Sequence, residues 1–158
     1  MSSRGSVPVG LFCLAVCVTP WPLLADEATL SGVLCVSAEY GFRIELPESW
    51  RGYSIIVGRW TATSGVEASG PTITLRHPAW TSDAPREDMP IMVFTHDQWD
   101  QVQNEDFRVS AAPIPPSAVG QNSKYVLALP PRWDFDQLPG VEEVDHAVHG
   151  LIAFEPSD

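Results

Sequence analysis

The stretch Tyr40-Gly41-Phe42-Arg43-Ile44-Glu45-Leu46 alternates apolar and charged side chains. Successive side chains of an extended strand point to opposite faces. The apolar residues from Phe42 to Leu46 therefore share one face, and Arg43 and Glu45 share the other. This period of two predicts a half-buried β-strand over residues 40–46 and a sheet-rich domain around it.

The rest of the chain extends this pattern. Residues 90–96 form the most apolar segment, and we expect them to be a central strand. The β-branched run Ile55-Ile56-Val57 predicts a strand buried on both faces. Further strand patterns cover residues 53–60, 72–77, 90–96, 107–112, 124–129 and 151–154.

Two short helices are predicted among these strands. The first covers residues 97–104, where Thr95 and Gln98 have the spacing of a capping box. The second covers residues 141–149, with valines at helical spacing on one face and Gly150 at its end. The loops between the early strands are too short and polar to hold crossover helices. We therefore predict an α+β fold, with a mainly antiparallel sheet of six to seven strands packed by two short helices.

The first 25 residues have the composition of an export signal. Arg4 precedes the apolar run Val9–Val18, and the small Ala25 precedes the acidic Asp26. We therefore predict a signal peptide over residues 1–25, a single α+β domain over residues 26–158, and a periplasmic or secreted location. Lipid anchoring through Cys17 is the less favoured alternative, because Val16 is a poor residue before a lipidated cysteine.

Charge and cysteine content narrow the possible partners. The chain has 20 acidic and 9 basic residues, for a formal net charge of −11. Such a surface repels phosphate backbones and anionic lipid, which disfavours nucleic-acid and membrane-surface binding. The apolar run at 9–18 is also too short to span a bilayer as a helix. Only Cys35 follows the predicted signal, so we expect no internal disulfide and a thiol that is a buried apolar residue, with a reactive or intermolecular thiol as the alternative. We also expect a monomer.

Two similar tetrapeptides suggest a ligand site. His77 and Trp80, and likewise His96 and Trp99, stand three residues apart after a strand. If the two strands are neighbours, the histidines could meet at one end of the sheet, with Asp97 orienting one imidazole. This predicts a polar ligand-binding site walled by tryptophans. The alternative is that His77 is a core histidine and both tryptophans cover the edges of the sheet.

A second candidate lies on the predicted helix 141–149. Glu142, His146 and His149 fall on the side away from the valines, and imidazoles with a carboxylate are suitable zinc ligands. The set lacks the His-Glu-x-x-His arrangement of zinc hydrolases. A solvated polar face is the alternative, in which His149 favours the C-terminal end of the helix.

The segment from Tyr40 to Trp50, followed by Gly52-Tyr53, resembles the opening strand of small exported bacterial domains of the PsbP-like kind. Later segments around His77, Pro90 and Ala111 resemble those of uncharacterised exported or lipid-anchored bacterial proteins. The resemblance implies export and an antiparallel α+β sandwich. It implies no reaction.

The sequence contains no Gly-x-Ser-x-Gly nucleophile motif and no glycine-rich phosphate loop. We therefore predict a non-catalytic binding or accessory module that needs no cofactor and binds a small ligand or an envelope protein. Two alternatives stay open. One is a metal-dependent hydrolase that uses the histidines, and the other is an envelope protein that acts through a protein interface.

Overall fold

The computed structural model describes residues 32–157. The predicted signal peptide at 1–25 and the candidate lipid-attachment residue Cys17 lie outside the described residues. Within the described part of the chain, no helix is both long enough and apolar enough to cross a membrane.

The described residues form ten strands and two α-helices, with one 3-10 turn at Glu48–Trp50. All the strand pairs in this part of the chain are antiparallel, which confirms the predicted α+β class. Seven strands have five residues or more, and three have two. The strands are β1 (Gly32–Ser37), β2 (Phe42–Pro47), β3 (Ser54–Thr61), β4 (Ser64–Gly65), β5 (Ser69–Arg76), β6 (Met89–Thr95), β7 (Phe107–Arg108), β8 (Ser117–Gln121), β9 (Tyr125–Leu129) and β10 (Ile152–Ala153), and the helices are α1 (His96–Gln103) and α2 (Val141–His149).

The strands divide into a five-stranded sheet in the order β3-β5-β6-β9-β8, a three-stranded sheet β1-β2-β10, and the small pair β4-β7. The apolar strand β6 is the middle strand of the larger sheet, as predicted. Its burial follows from this position, because both of its faces and both of its edges are covered by other parts of the chain.

The hairpin β1-β2 contains the segment from Tyr40 to Leu46, in which apolar and charged side chains alternate. Phe42, Ile44 and Leu46 are buried, and the residues between them are exposed. Burying each of these side chains contributes about 1.5–3 kcal/mol. Gly41 makes the turn with φ of +67°, and a Cβ there would clash with the carbonyl oxygen of Phe154. The turn therefore requires glycine.

Two apolar clusters cover opposite faces of the five-stranded sheet. On one face, Ile73, Leu75 and Ile91 pack with side chains of β2 and α2. On the other face, Met92 and Phe94 pack with side chains of α1 and β7. This follows from the pleat, because alternate residues of β5 and β6 point to opposite layers.

Both helices form where the sequence predicts them. Thr95 caps α1, since its hydroxyl accepts a hydrogen bond from the Gln98 N–H and the Gln98 side chain accepts one from the Thr95 N–H. Helix α2 buries Val144, Ala147 and Val148.

Two expectations about strands were wrong, and one strand was missed. Strand β3 is exposed along most of its length instead of buried on both faces, because it is an edge strand that the covering layers reach only at Trp60. The predicted strand at 107–112 is reduced to Phe107–Arg108. The short strand β8 at Ser117–Gln121 was not predicted, because its small and polar residues lack a strand pattern.

Candidate functional site

The predicted meeting of His77 and His96 does not occur. Strands β5 and β6 are neighbours, but they pair antiparallel, with Leu75 opposite Met89. His77 follows the end of β5 and therefore lies beside the start of β6, whereas His96 follows the end of β6. A seven-residue strand is about 20 Å long, so the two imidazoles lie at opposite ends of the sheet.

His77 continues the buried face of β5 and is only 6% exposed. Its Nδ1 accepts a hydrogen bond from the Ala79 N–H at 3.0 Å, and its ring makes an edge contact with Trp50 at a centroid distance of 5.1 Å. Burial lowers the pKa of His77, as does the nearby Arg86, while Glu143 partly offsets them. These contacts are those of a core histidine that stays neutral.

The side chains around His77 form a partly buried polar group at the start of α2. The Trp50 Nε1–H donates to Glu143 Oε2 at 3.2 Å, and Arg86 lies 3.6 Å from the same oxygen. The Nε2 atom of His77 and the Nε atom of Arg86 have no hydrogen-bond partner among residues 32–157. The group joins the 3-10 turn, the loop before β6 and α2.

Trp80 is half-buried and covers a charged side chain. The Arg76 guanidinium lies 3.8 Å from the centre of the Trp80 ring and 2.6 Å from an Asp88 carboxylate oxygen. The stacking and the ion pair together explain the position of Trp80 without a ligand.

The other half of the predicted site lies on α1. His96 is exposed, and its Nε2 lies 2.8 Å from the Asn122 carbonyl oxygen. Asp97 is exposed in the first turn of α1. Trp99 is half-buried against Phe94, with a centroid distance of 5.5 Å. The structure therefore brings these three residues near one another but keeps them apart from His77 and Trp80.

The predicted metal ligands on α2 do not converge. Glu142, His146 and His149 are all exposed, and the His149 ring lies 2.7 Å from the Asp145 carbonyl oxygen. Among residues 32–157 no three His, Cys, Asp or Glu side chains are grouped as they would be around a metal ion.

Cys35 is a free thiol on β1 and is only 2% exposed. Burial raises the pKa of Cys35, although the Tyr53 hydroxyl hydrogen-bonds to it and partly lowers that pKa. Burial and, to a smaller extent, the same contact raise the pKa of Tyr53 to about 12. The thiol is therefore a core residue, as expected, and is poorly disposed to act as a nucleophile.

The strongest candidate surface is one that the sequence analysis did not identify, the free edge of β3. Ile55, Ile56 and Val57 are 52%, 40% and 70% exposed, respectively. Ile55 lies opposite Leu75, and Val57 lies opposite Ile73, whose side chains are buried. Residues directly opposite in a sheet share a face. Ile55 and Val57 thus extend the core face of the sheet by one strand beyond its covering layer.

The β3 edge is also regular. All eight of its residues pair with β5 in unbroken register, and in the described part of the chain β5 is its only strand partner. The opposite edge, β8, has five residues and a break in register between Ala118 and Gly120. Such irregularities protect an edge from pairing with other chains, and β3 contains none of them.

A second exposed apolar group lies on the outer face of the three-stranded sheet, formed by Leu34, Val36 and Ile152. It adjoins Gly32, where the described part of the chain begins. It is therefore a weaker basis for a site than the β3 edge, which lies within the described part of the chain and is longer and more regular.

Comparison of this chain with models of protein families, with curated proteins and with solved structures finds no match.

Proposed function

We propose that this protein is an exported, monomeric, non-catalytic binding module that holds another envelope protein at the edge of its five-stranded sheet. An extended segment of the partner adds to β3 as a sixth strand. The predicted export signal and the resemblance to PsbP-like exported domains support a partner outside the cytoplasm. The observation that carries the proposal is the long, regular and apolar edge formed by β3.

An uncovered edge strand presents unpaired N–H and C=O groups to its surroundings. Strand addition satisfies these groups and supplies affinity through main-chain hydrogen bonds, while side-chain contacts supply specificity. The exposed side chains of Ile55 and Val57 add an apolar contact on the core side of the edge. Natural proteins usually protect such an edge with charge, proline or a bulge. Arg59 is the only charged residue of β3, which contains no proline.

Charge favours a different protein over a second copy of this chain. Each copy carries a formal net charge of −11, so two copies repel one another. A neutral or basic segment meets no such repulsion. We therefore assign the edge to a partner of different sequence.

The position of the histidines favours binding over hydrolysis. His77 is buried beside Trp50, His96 lies at the other end of the sheet, and His149 bonds within its own helix. A general base and its orienting group have to lie within hydrogen-bond reach of one another. The hydrolase alternative would require histidines that are brought together.

Site-specific photo-crosslinking in the native host tests the proposal. We would place p-benzoylphenylalanine at position 55 or 57 on β3, and at the exposed Gln103 on α1 as a matched control. The expected result is an adduct from β3 alone, in which mass spectrometry maps the crosslink to one extended segment of one identified envelope protein.

Two results would overturn the proposal. An adduct of twice the mass of this chain, with crosslinks between two copies of β3, would make the edge a homodimer interface. The absence of an adduct from β3, or equal adducts from β3 and position 103, would remove the edge as a specific docking surface.

A further inference from the structure

We propose that Gly58 forms a recognition notch in the docking edge, which receives one bulky apolar side chain of the added strand. This inference rests on the proposed function, because the notch has a role only if another strand pairs with β3. It names the chemical class of the segment, which is extended, neutral or basic, and carries a large apolar residue opposite Gly58.

The folded chain itself does not require glycine at position 58. Gly58 lies in the middle of β3, opposite Thr72, in a regular part of the ladder. Its φ lies outside the left-handed region, and a Cβ built there would meet only the Thr72 carbonyl oxygen, at 4.0 Å. Glycine in the interior of a strand is less stable than alanine and often marks a place where another backbone or a ligand approaches closely.

The surroundings of Gly58 leave an apolar gap on one face of the edge. Ile56 and Trp60 lie two residues to either side of it, so they share its face. The Trp60 ring lies over Gly70 on the neighbouring strand, and its Nε1–H donates to the Val93 carbonyl at 2.8 Å. The indole thus points toward the interior of the sheet and leaves the position beside Gly58 open.

A side chain on an added strand opposite Gly58 would enter this gap. It would contact Ile56, which is 40% exposed. A glycine or serine at that position of the segment would leave the gap unfilled. A leucine or phenylalanine would bury its own apolar surface and that of Ile56.

The experiment compares two synthetic peptides binding to the purified protein. Both peptides have eight residues, blocked termini, a net charge of +2 and a sequence that favours the extended conformation. They differ only at one central position, which is phenylalanine in one and glycine in the other. Fluorescence anisotropy of a dye on the peptide gives Kd. We expect the phenylalanine peptide to bind at least about tenfold more tightly, since burial of one large side chain accounts for a change of that order.

Two protein variants locate the effect. Gly58→Val fills the notch, and we expect it to keep or raise the thermal stability of the protein while reducing the preference for phenylalanine to less than about threefold. Ser54→Val is the matched control, because Ser54 is exposed on the same face of the same strand. It adds the same side chain away from the notch and should leave the preference unchanged.

The outcomes separate this inference from the proposed function. If the wild-type protein binds both peptides equally, or if Gly58→Val keeps the full preference, the notch is overturned while edge docking stands. If the wild-type protein binds neither peptide, both the notch and docking of extended segments at β3 are overturned.

Discussion

At the scale of the residue, two glycines of this chain illustrate opposite roles. Gly41 has a positive φ, and a Cβ there would lie against the Phe154 carbonyl oxygen, so the fold requires glycine. Gly58 has open space around it and ordinary strand geometry, so the fold alone does not require it. A residue that costs stability without a structural need is a candidate for function.

The two glycines therefore predict opposite changes in stability. Gly41→Ala should lower the free energy of unfolding by at least about 2 kcal/mol, because left-handed strain adds to a backbone clash. Gly58→Ala should raise it by about 0.5–1 kcal/mol. Urea denaturation followed by circular dichroism measures both. A Gly58→Ala variant as unstable as Gly41→Ala would show that position 58 has a structural role in the monomer.

Replacing the buried Glu87 with glutamine is expected to raise the stability of the protein in a pH-dependent way. The residue is 7% exposed, and burial raises its pKa, as do the nearby Asp136, Asp88 and Asp134, while a backbone hydrogen bond to Leu138 partly offsets them. Because the pKa of Glu87 is raised in the folded state, the stability that the protonated carboxyl contributes is fully present below its pKa in the unfolded chain, about 4.3. That contribution is lost as pH rises through the pKa in the folded state. Glu87→Gln should therefore stabilise the protein at pH 7, with the gain vanishing near pH 4 in thermal melts. A gain independent of pH would contradict this account.

His77 predicts a loss of stability in mild acid. Burial lowers its pKa in the folded state, so the unfolded chain takes up a proton first. The stability that neutral His77 contributes is present above its pKa in the unfolded chain, about 6.5. It is lost as pH falls from there through the pKa in the folded state. Urea midpoints between pH 7.5 and 5 should fall more steeply for the wild type than for His77→Gln. Parallel profiles for the two proteins would remove His77 as the cause.

At the scale of the element, features that a few adjacent residues encode could be predicted from the sequence. Features that depend on which strands are neighbours in the sheet could not. The alternation in β2, the Thr95–Gln98 capping box and the bounds of α2 are each encoded within a few adjacent residues. The Ile55–Val57 run is different. A β-branched run has the same composition in a central strand and in an exposed edge strand, and only the pairing order distinguishes them.

The candidate ligand site failed for a related reason. The sequence shows that His77 and His96 each follow a strand, but their separation depends on the direction in which the two strands run. In the antiparallel pair β5-β6, the ends of successive strands lie at opposite ends of the sheet. If the predicted antiparallel pairing is applied to these two strands, it places the two histidines at opposite ends of the sheet.

The α1 cap gives a prediction at this scale. Removing the Thr95 hydroxyl leaves the Gln98 N–H without its partner in the first turn. Thr95→Ala should therefore lower the free energy of unfolding by about 1 kcal/mol, and Thr95→Ser should retain most of the wild-type value. Denaturation of both variants in urea measures the difference. Equal losses for alanine and serine would attribute the effect to the methyl group and not to the cap.

At the scale of the whole molecule, the layer formed by β2 and α2 on the five-stranded sheet ends before Ile55 and Val57 of the β3 edge. The core therefore reaches the surface at these two residues, on a strand whose only strand partner among residues 32–157 is β5. The acidic net charge of the chain keeps copies apart and leaves this edge open to neutral or basic segments. Charge, topology and exposure thus favour the same docking surface.

The measurement that tests this claim most directly is amide hydrogen–deuterium exchange of the protein, alone and in complex with the partner identified by crosslinking. We predict slower exchange in the complex for the alternate amides of β3 (residues 54–61) that point away from β5, because the added strand accepts their hydrogen bonds. Exchange at the opposite edge, β8, should stay unchanged. Protection confined to β8 or α2, with β3 exchanging as fast as in the free protein, would contradict the account.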